Sequence, residues 1–224
     1  MNFISTRPAF NDVLDSLKNE FKDDTTNDVI VLGCSYLKVS KFFKLKKQFD
    51  RVIVFQLEPL TTEQPILWNK HGINVSKNYF AWLKLADEVW DYDETNFDIL
   101  NTIRDDAKLH VLKPYKDWSI YPHVKKDIDI LFYGTINKHR SNILNELKKK
   151  YNVVILNTWN SNTIDQYILR SKILLNIHYY YDVALQEQAR MIRWIGAPCR
   201  IVSEKSVKNY LNVEEKDYSE LVNV

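Results

Sequence analysis

Short continuous apolar runs alternate along this chain with stretches whose apolar residues return at helical spacing. Asp28–Cys34 ("DVIVLGC") reads as a strand buried on both faces, since no polar residue interrupts Val29 to Leu32. Lys38–Phe49 places Val39, Phe42, Phe43, Leu45 and Phe49 near helical spacing, and Arg51–Leu57 ("RVIVFQL") is a second strand closed by Glu58 and Pro59. Helical stretches around Trp68 and over Phe80–Ala86 lead to a third strand, Glu88–Tyr92. A helix over Asn96–Asp105 and a fourth strand, Leu109–Leu112, follow. Lys113–Asp127 fits neither period and holds two of the six prolines, which marks a break. The alternation then restarts with strand Ile128–Tyr133, helix Arg140–Lys150, strand Asn152–Leu156 and helix Thr163–Arg170. Strand Ile173–Ile177, helix Ala184–Ile195 and strand Arg200–Ser203 come next, and the piece from Val207 is predicted to be helical.

Strands that alternate with helices imply parallel sheets covered on both faces. The predicted class is α/β, with two small Rossmann-like domains over residues 1–122 and 123–224 joined at a hinge; one larger doubly wound sheet is the competing arrangement. With 45% hydrophobic and 13% aromatic residues the chain can fill such cores. A net charge of +2, from 31 basic and 29 acidic residues, gives no reason to expect a polyanion as partner. A single-strand binder built on the aromatic residues is disfavoured, because most of them fall in patterns that want a core. No apolar run nears the roughly 18–20 residues that span a bilayer, and the N-terminus lacks a secretory pattern. Cys34 and Cys199 each sit in an apolar setting and read as buried, reduced thiols. The expectation is a soluble, cytoplasmic protein.

Several classes are excluded by spacing. The chain has four glycines, Gly33, Gly72, Gly134 and Gly196, so neither a G-x-G-x-x-G turn nor a phosphate-binding G-x-x-x-x-G-K-[ST] loop is present. Its five histidines show no H-x-x-x-H spacing, and no dedicated metal site is expected.

In open α/β sheets ligands lie beyond the carboxyl ends of the strands, so chemistry is sought there. After the Ile128–Tyr133 strand stands "YGTINKHR". Gly134 permits a tight turn. Thr135 and Asn137 can donate hydrogen bonds or cap the next helix, and Lys138, His139 and Arg140 gather positive charge at its N-terminus. The turn reads either as an anion cradle suited to a diphosphate or as a solvated loop. After the next-but-one strand stands "NIHYYYDVALQEQAR", where His178 and Tyr179 either pack or face a ligand, and Glu187 and Arg190 share a helical face with Arg193. Ser203, Glu204 and Lys205 follow the last strand.

The series "DILFYGTINKHR", "SKILLNIHYY", "EQAR" and "VSE" resembles the donor-binding half of compact GT-B-fold glycosyltransferases, in the group-1 and spore-maturation-protein-like set. "FQLEPL" and "EVWDYDETN" resemble the other half, so that the likeness runs from about Val29 to Glu204. The resemblance implies two domains facing across a cleft, the first on the acceptor side and the second holding a nucleotide-sugar. It implies transfer of that sugar to an acceptor hydroxyl, of a glycan or another molecule, with no bound metal and no separate cofactor. Gly134 and Arg140 would form the diphosphate loop, Glu187 the ribose or sugar contact, and His178 and Tyr179 the pocket wall. Thr135, Asn137, Lys138, Arg190, Ser203 and Glu204 complete the donor-side set. The usual acidic pair seven residues apart before a Gly-x-Pro turn is only partly present, since Glu187 lies nine residues before Gly196.

For catalysis, Glu58 and Asp91 at strand ends, with His71 nearby, are candidate bases. Arg140 is the candidate stabiliser of a leaving diphosphate. A non-catalytic glycan- or partner-binding module that keeps this fold is the alternative.

Overall fold

A computed structural model describes residues 1–60 and 77–223; the helix around Trp68, and His71, fall outside the described residues. The chain divides into two compact units, Met1–Lys113 and Pro114–Val224.

The first unit runs β1 (Asn2–Ser5), α1 (Asn11–Glu20), β2 (Val29–Leu32), α2 (Val39–Leu45), β3 (Val52–Gln56), α3 (Lys77–Leu85), β4 (Glu88–Asp91), α4 (Phe97–Leu100) and β5 (Lys108–Leu109). Its sheet is parallel throughout and has the order β1-β2-β3-β4-β5. β2 and β3 are buried at every position, which is why their sequences are apolar without alternation. Val29, Val31, Val52, Val54 and Val89 point to one face, where Phe42, Leu45, Trp82 and Leu83 pack on them. Trp82 meets Phe42 edge to face at 5.3 Å.

Two elements here exceed the sequence expectation. β1 is a four-residue edge strand whose apolar content is Phe3 and Ile4, too little to stand out. α1 turns Val13 and Leu17 fully into the core. Two predicted elements shrink. The helix expected over Asn96–Asp105 is a 3₁₀ turn, Glu94–Asn96, followed by the single turn of α4. Of the strand expected over Leu109–Leu112 only Leu109 is in the ladder, where it and Lys108 pair with β4.

The second unit runs β6 (Ile128–Tyr133), α5 (Lys138–Lys148), β7 (Val153–Leu156), α6 (Ser161–Arg170), β8 (Ser171–Asn176), α7 (Gln188–Met191), β9 (Arg200–Glu204), β10 (Glu214–Lys216) and α8 (Tyr218–Leu221). Its sheet is also parallel, in the order β10-β9-β8-β6-β7. Alternate residues of β6 sort the helices onto two faces. Ile130 and Phe132 pack with Ile143, Leu144 and Leu147 of α5 and Leu221 of α8. Leu131 and Tyr133 pack with Ile164 and Ile168 of α6, Met191 of α7, and Trp194. Asn137 caps α5 by accepting the Arg140 N–H at 2.9 Å, and Asn160 caps α6 by accepting that of Thr163 at 2.9 Å.

Three expectations change here. Ala184 takes a left-handed φ of 49°, so a helix cannot pass through it, and α7 starts only at Gln188. Past Val207 the expected helix is confined to the single turn of α8, and an edge strand, β10, precedes it; the charged residues of β10 blunt an exposed edge, with Glu214 paired to Arg200. The irregular segment 114–127 is not a loose connector. Trp118 is buried and donates to the Arg193 carbonyl at 2.9 Å, and Lys116 pairs with Asp165 at 2.6 Å.

Candidate functional site

The two sheets differ in a way that matters for ligands. In the first, strand order follows chain order. In the second, the chain leaves β6 for β7 on one side and returns with β8 on the other, which makes a topological switch point between β6 and β8. Open α/β sheets present a crevice at that point, beyond the carboxyl ends of the strands.

The residues just past β6 and β8 are tied together there. Arg140, in the first turn of α5 and 3% exposed, reaches back across the loop. Its Nε donates to the Ile177 carbonyl at 2.9 Å and its Nη1 to the Thr135 carbonyl at 2.7 Å. Its Nη2 grips both oxygens of Glu187, at 2.6 and 3.0 Å. Arg190, 5% exposed, gives Nη1 to the Tyr133 carbonyl at 2.8 Å and Nη2 to Asn176 Oδ1 and Glu187 Oε2. The Tyr179 N–H adds a bond to Glu187 Oε1 at 2.8 Å, and Asn137 Nδ2 donates to the Tyr179 carbonyl at 2.7 Å. Gly134 is required by this packing: its φ is +132°, and a Cβ there would lie 2.8 Å from Arg190 Nη1.

Two buried guanidinium groups therefore share one carboxylate. Burial pulls Arg140 down to about 10, which leaves it charged at neutral pH. Burial and then the neighbouring Arg140 push Arg190 lower than the usual guanidinium range. Each ring of the cluster adds to this setting: Phe132 lies 5.4 and 5.3 Å from the Arg140 and Arg190 centres, and Tyr179 5.1 Å from Arg140. The positive end of α5 points at the same rim, where Lys138 is exposed.

A second group adjoins it. Glu204 accepts the His178 N–H at 2.8 Å and pairs with His139 Nε2 at 2.8 Å. His178 is buried, and its Nε2 faces the Lys205 carbonyl at 3.1 Å, so Nε2 carries the hydrogen. Burial lowers its pKa and keeps the ring neutral. His139 stacks on Tyr181 at 4.9 Å, at the exposed edge of the β8–α7 loop. Ser203 points inward instead, accepting from Asn176 at 2.9 Å and donating to the Glu204 carbonyl.

Of the donor-side residues read from sequence, Gly134, Asn137, Arg140, Tyr179, Glu187 and Arg190 form one connected network. His178 and Glu204 form its neighbour; Thr135 contributes a carbonyl, and Ser203 is spent on the sheet. Arg193, expected on the same face as Glu187, instead pairs with Asp165 at 2.6 Å on the α6 side. Asn176 was missed; its signal is an amide closing an otherwise apolar strand, "ILLN".

The catalytic candidates of the first unit lie at its own carboxyl rim. Asp91 is fully buried, and three donors converge on it: the Asp93 N–H at 2.9 Å, Gln56 Nε2 at 2.8 Å, and Asn96 Nδ2 at 2.9 and 3.1 Å. Burial raises its carboxyl to about 7 against the pull of those bonds. Glu58 follows β3, is half-buried, and is likewise raised to about 7 by burial, with Arg7 opposing. Its backbone, not its carboxylate, is what Gln56 holds. Asp91 thus serves the packing of β3, β4 and the Asn96 turn, while Glu58 has the more open position. Among the described residues no group of acidic, cysteine and histidine side chains is arranged to hold a metal ion, and no helix is long and apolar enough to cross a membrane.

No protein-family model matches the chain. It is 28% identical over 222 residues to uncharacterized protein L140 of Acanthamoeba polyphaga mimivirus, covering 88% of this chain and 66% of that protein. It is 29% identical over 195 residues to uncharacterized protein L138 of the same virus, covering 79% of this chain and 20% of that one. Among solved structures it is similar to a Glycosylation Associate Protein (Gap123) complex from Streptococcus agalactiae. That match has a TM-score of 0.44 and 10% identity, and covers 95% of this chain and 50% of the other. The chain thus spans two-thirds or less of each of these relatives and neighbours, and its own parallel α/β units with their rim cluster carry the functional reading.

Proposed function

We propose that this chain is a nucleotide-sugar-dependent glycosyltransferase, with the donor diphosphate seated at the β6–β8 switch point. The observation that carries the reading is the pair of buried guanidinium groups, Arg140 and Arg190, set against a single carboxylate beside Gly134 and the start of α5. The two guanidinium groups outnumber the one carboxylate bonded to them, in surroundings where charge acts strongly. In the first turn of α5, N–H groups ahead of Arg140 lack helical partners and point outward. When the bond from sugar to diphosphate breaks, the negative charge that gathers on the leaving diphosphate meets this field. Lys138 supplies a mobile ammonium, and the Tyr179 ring lines the same rim. In the acceptor-side unit, Glu58 is the candidate base, because a carboxyl near 7 can take a proton from an acceptor hydroxyl at neutral pH. The acceptor is a glycan or another hydroxyl compound, and the reaction needs no bound metal.

Calorimetry with UDP-, GDP-, ADP- and dTDP-linked sugars tests this. One of them is expected to bind in the micromolar to millimolar range, and Arg140→Ala to weaken it tenfold or more, as loss of a charge-assisted contact of about 1.5–3 kcal/mol implies. Failure of all four donors to bind removes the reading.

One observation favours the alternative of a non-catalytic binding module. Arg140, Glu187, Arg190 and the Tyr179 N–H satisfy one another, as a purely structural latch would. Hydrolysis or transfer with any nucleotide-sugar decides against it; binding without turnover decides for it.

A further inference from the structure

The donors that an anion would need at this rim are already in use. A carboxylate offers about four acceptor sites, and Glu187 fills them with Arg140 Nη2 on both oxygens, Arg190 Nη2, and the Tyr179 N–H. Glu187 is nevertheless the accessible member of the set, 25% exposed where the two arginine side chains are 3% and 6% exposed. It also does not lie within regular structure. It precedes α7 with a ψ of 61°, at the end of a turn that includes Ala184 in its left-handed conformation. Arg190 Nε, buried, has no hydrogen-bond partner among the described residues.

We propose that Glu187 is a displaceable stand-in for the ligand's anion. Its carboxylate occupies the donor set of Arg140, Arg190 and the Tyr179 N–H in the free protein, and a diphosphate takes its place as the 180–187 turn swings out. The proposal rests on reading this rim as a diphosphate site and adds how that site is closed when empty. The chemistry fits on both sides. A carboxylate and a phosphate edge each present two oxygens to a guanidinium fork, so either can satisfy the same nitrogens. Glu187 is the one carboxylate bonded to the two guanidinium groups, with Glu204 acting on Arg140 through space, whereas a diphosphate brings more negative charge than that single carboxylate. Exchange therefore favours the more highly charged ligand, and the rim stays paired in its absence, avoiding the penalty of two bare buried cations.

The experiment is titration of inorganic pyrophosphate into the wild-type chain, Glu187→Gln and Asp182→Asn, at constant ionic strength. Asp182 is an exposed acid of the same turn, so its substitution removes an equal charge without freeing the guanidinium groups. Glu187→Gln is expected to bind pyrophosphate at least tenfold tighter than wild type, with Asp182→Asn within about twofold of it. Pyrophosphate is also expected to restore the melting temperature that Glu187→Gln loses. Equal gains in both variants, or no gain in Glu187→Gln, overturns the proposal. Should the glutamine variant fail to fold, Glu187→Asp keeps the charge but shortens its reach by one methylene. It is expected to gain several-fold, and no gain there is equally decisive against the proposal. The nucleotide-sugar reading is tested separately. It fails if no nucleoside diphosphate binds better than pyrophosphate, whatever the variants do.

Discussion

Replacing Gly134 with alanine addresses the rim through the backbone alone. Gly134 has a φ of +132°, a region that side-chain-bearing residues enter at about 1–3 kcal/mol. The added Cβ would stand 2.8 Å from Arg190 Nη1. A long side chain can usually step aside from such a contact, but this one is pinned. Nη1 donates to the Tyr133 carbonyl at 2.8 Å, and Nη2 is held by Asn176 and Glu187. Moving it breaks at least one charge-assisted bond, worth about 1.5–3 kcal/mol. Together the expected loss is about 2.5–6 kcal/mol. Gly196→Ala is the control: its φ of +83° is also left-handed, yet its Cβ would meet only Trp118 Cδ1 at 3.8 Å, an ordinary contact. That variant is expected to lose about 1–2 kcal/mol. Urea unfolding followed by tryptophan fluorescence, to which the second unit contributes Trp118, Trp159 and Trp194 of the six, measures both. If the two substitutions cost the same, or Gly134→Ala costs less than 1 kcal/mol, Arg190 is not pinned and the account of the rim fails.

Further tests follow from buried charge. Asp91 and Glu58 are both raised to about 7 by burial, so each keeps its proton in the fold at pH values where the unfolded chain has released it. Stability should therefore fall as pH climbs from about 4 to about 7 and then level off, with an upper bound of about 4 kcal/mol from Asp91 and a smaller share from the half-buried Glu58. His178 acts oppositely, because its lowered value makes stability drop as pH falls through its unfolded value. Urea midpoints of wild type and Glu58→Gln between pH 4.5 and 7.5 check the sign, and a flat difference between them refutes the Glu58 share. In the second unit, Asp165 is buried between Arg193 and Lys116, each at 2.6 Å. Asp165→Asn removes the carboxylate that faces a guanidinium 2% exposed, leaving it Ser161 and a neutral amide, and is expected to cost about 3–5 kcal/mol. Limited proteolysis should then cut within 114–127 sooner than in wild type; unchanged cleavage means that Lys116 does not anchor that segment.

The strands that sequence shows well are those built on an apolar run. β2, β3, β6 and β8 have neighbours on both sides in their sheets, and each holds at least three consecutive apolar residues: VIVL, VIVF, ILFY and ILL. Two edge strands escape notice for the opposite reason: β1 has few apolar residues and β10 is Glu-Glu-Lys, whereas the edge strand β7 keeps an apolar VVIL and is legible. The start of α7 was misread because Ala184 suits a helix by propensity while the turn forces it left-handed. At the rim, Gly134, Arg140 and Glu187 were legible from their places after strands. What could not be read is that Arg140 and Glu187, 47 residues apart, hold each other. That contact depends on β8 lying beside β6, and strand order is not written in hydrophobic period.

That same strand order has a consequence for the growing polypeptide. In the first sheet every strand lies against the one made before it, so a nascent chain can extend the sheet in one direction as residues emerge. The second sheet has no such option. When β7 has paired, the other edge of β6 is still bare, and it offers Ile128, Ile130 and Leu131 to whatever strand arrives first. Its rightful partner is made only after α6. A chain halted after Leu156 would carry an open, apolar strand edge, the kind of surface on which one molecule adds to another. The crevice that a switch point provides thus comes with an interval during synthesis in which this half of the protein is most prone to self-association.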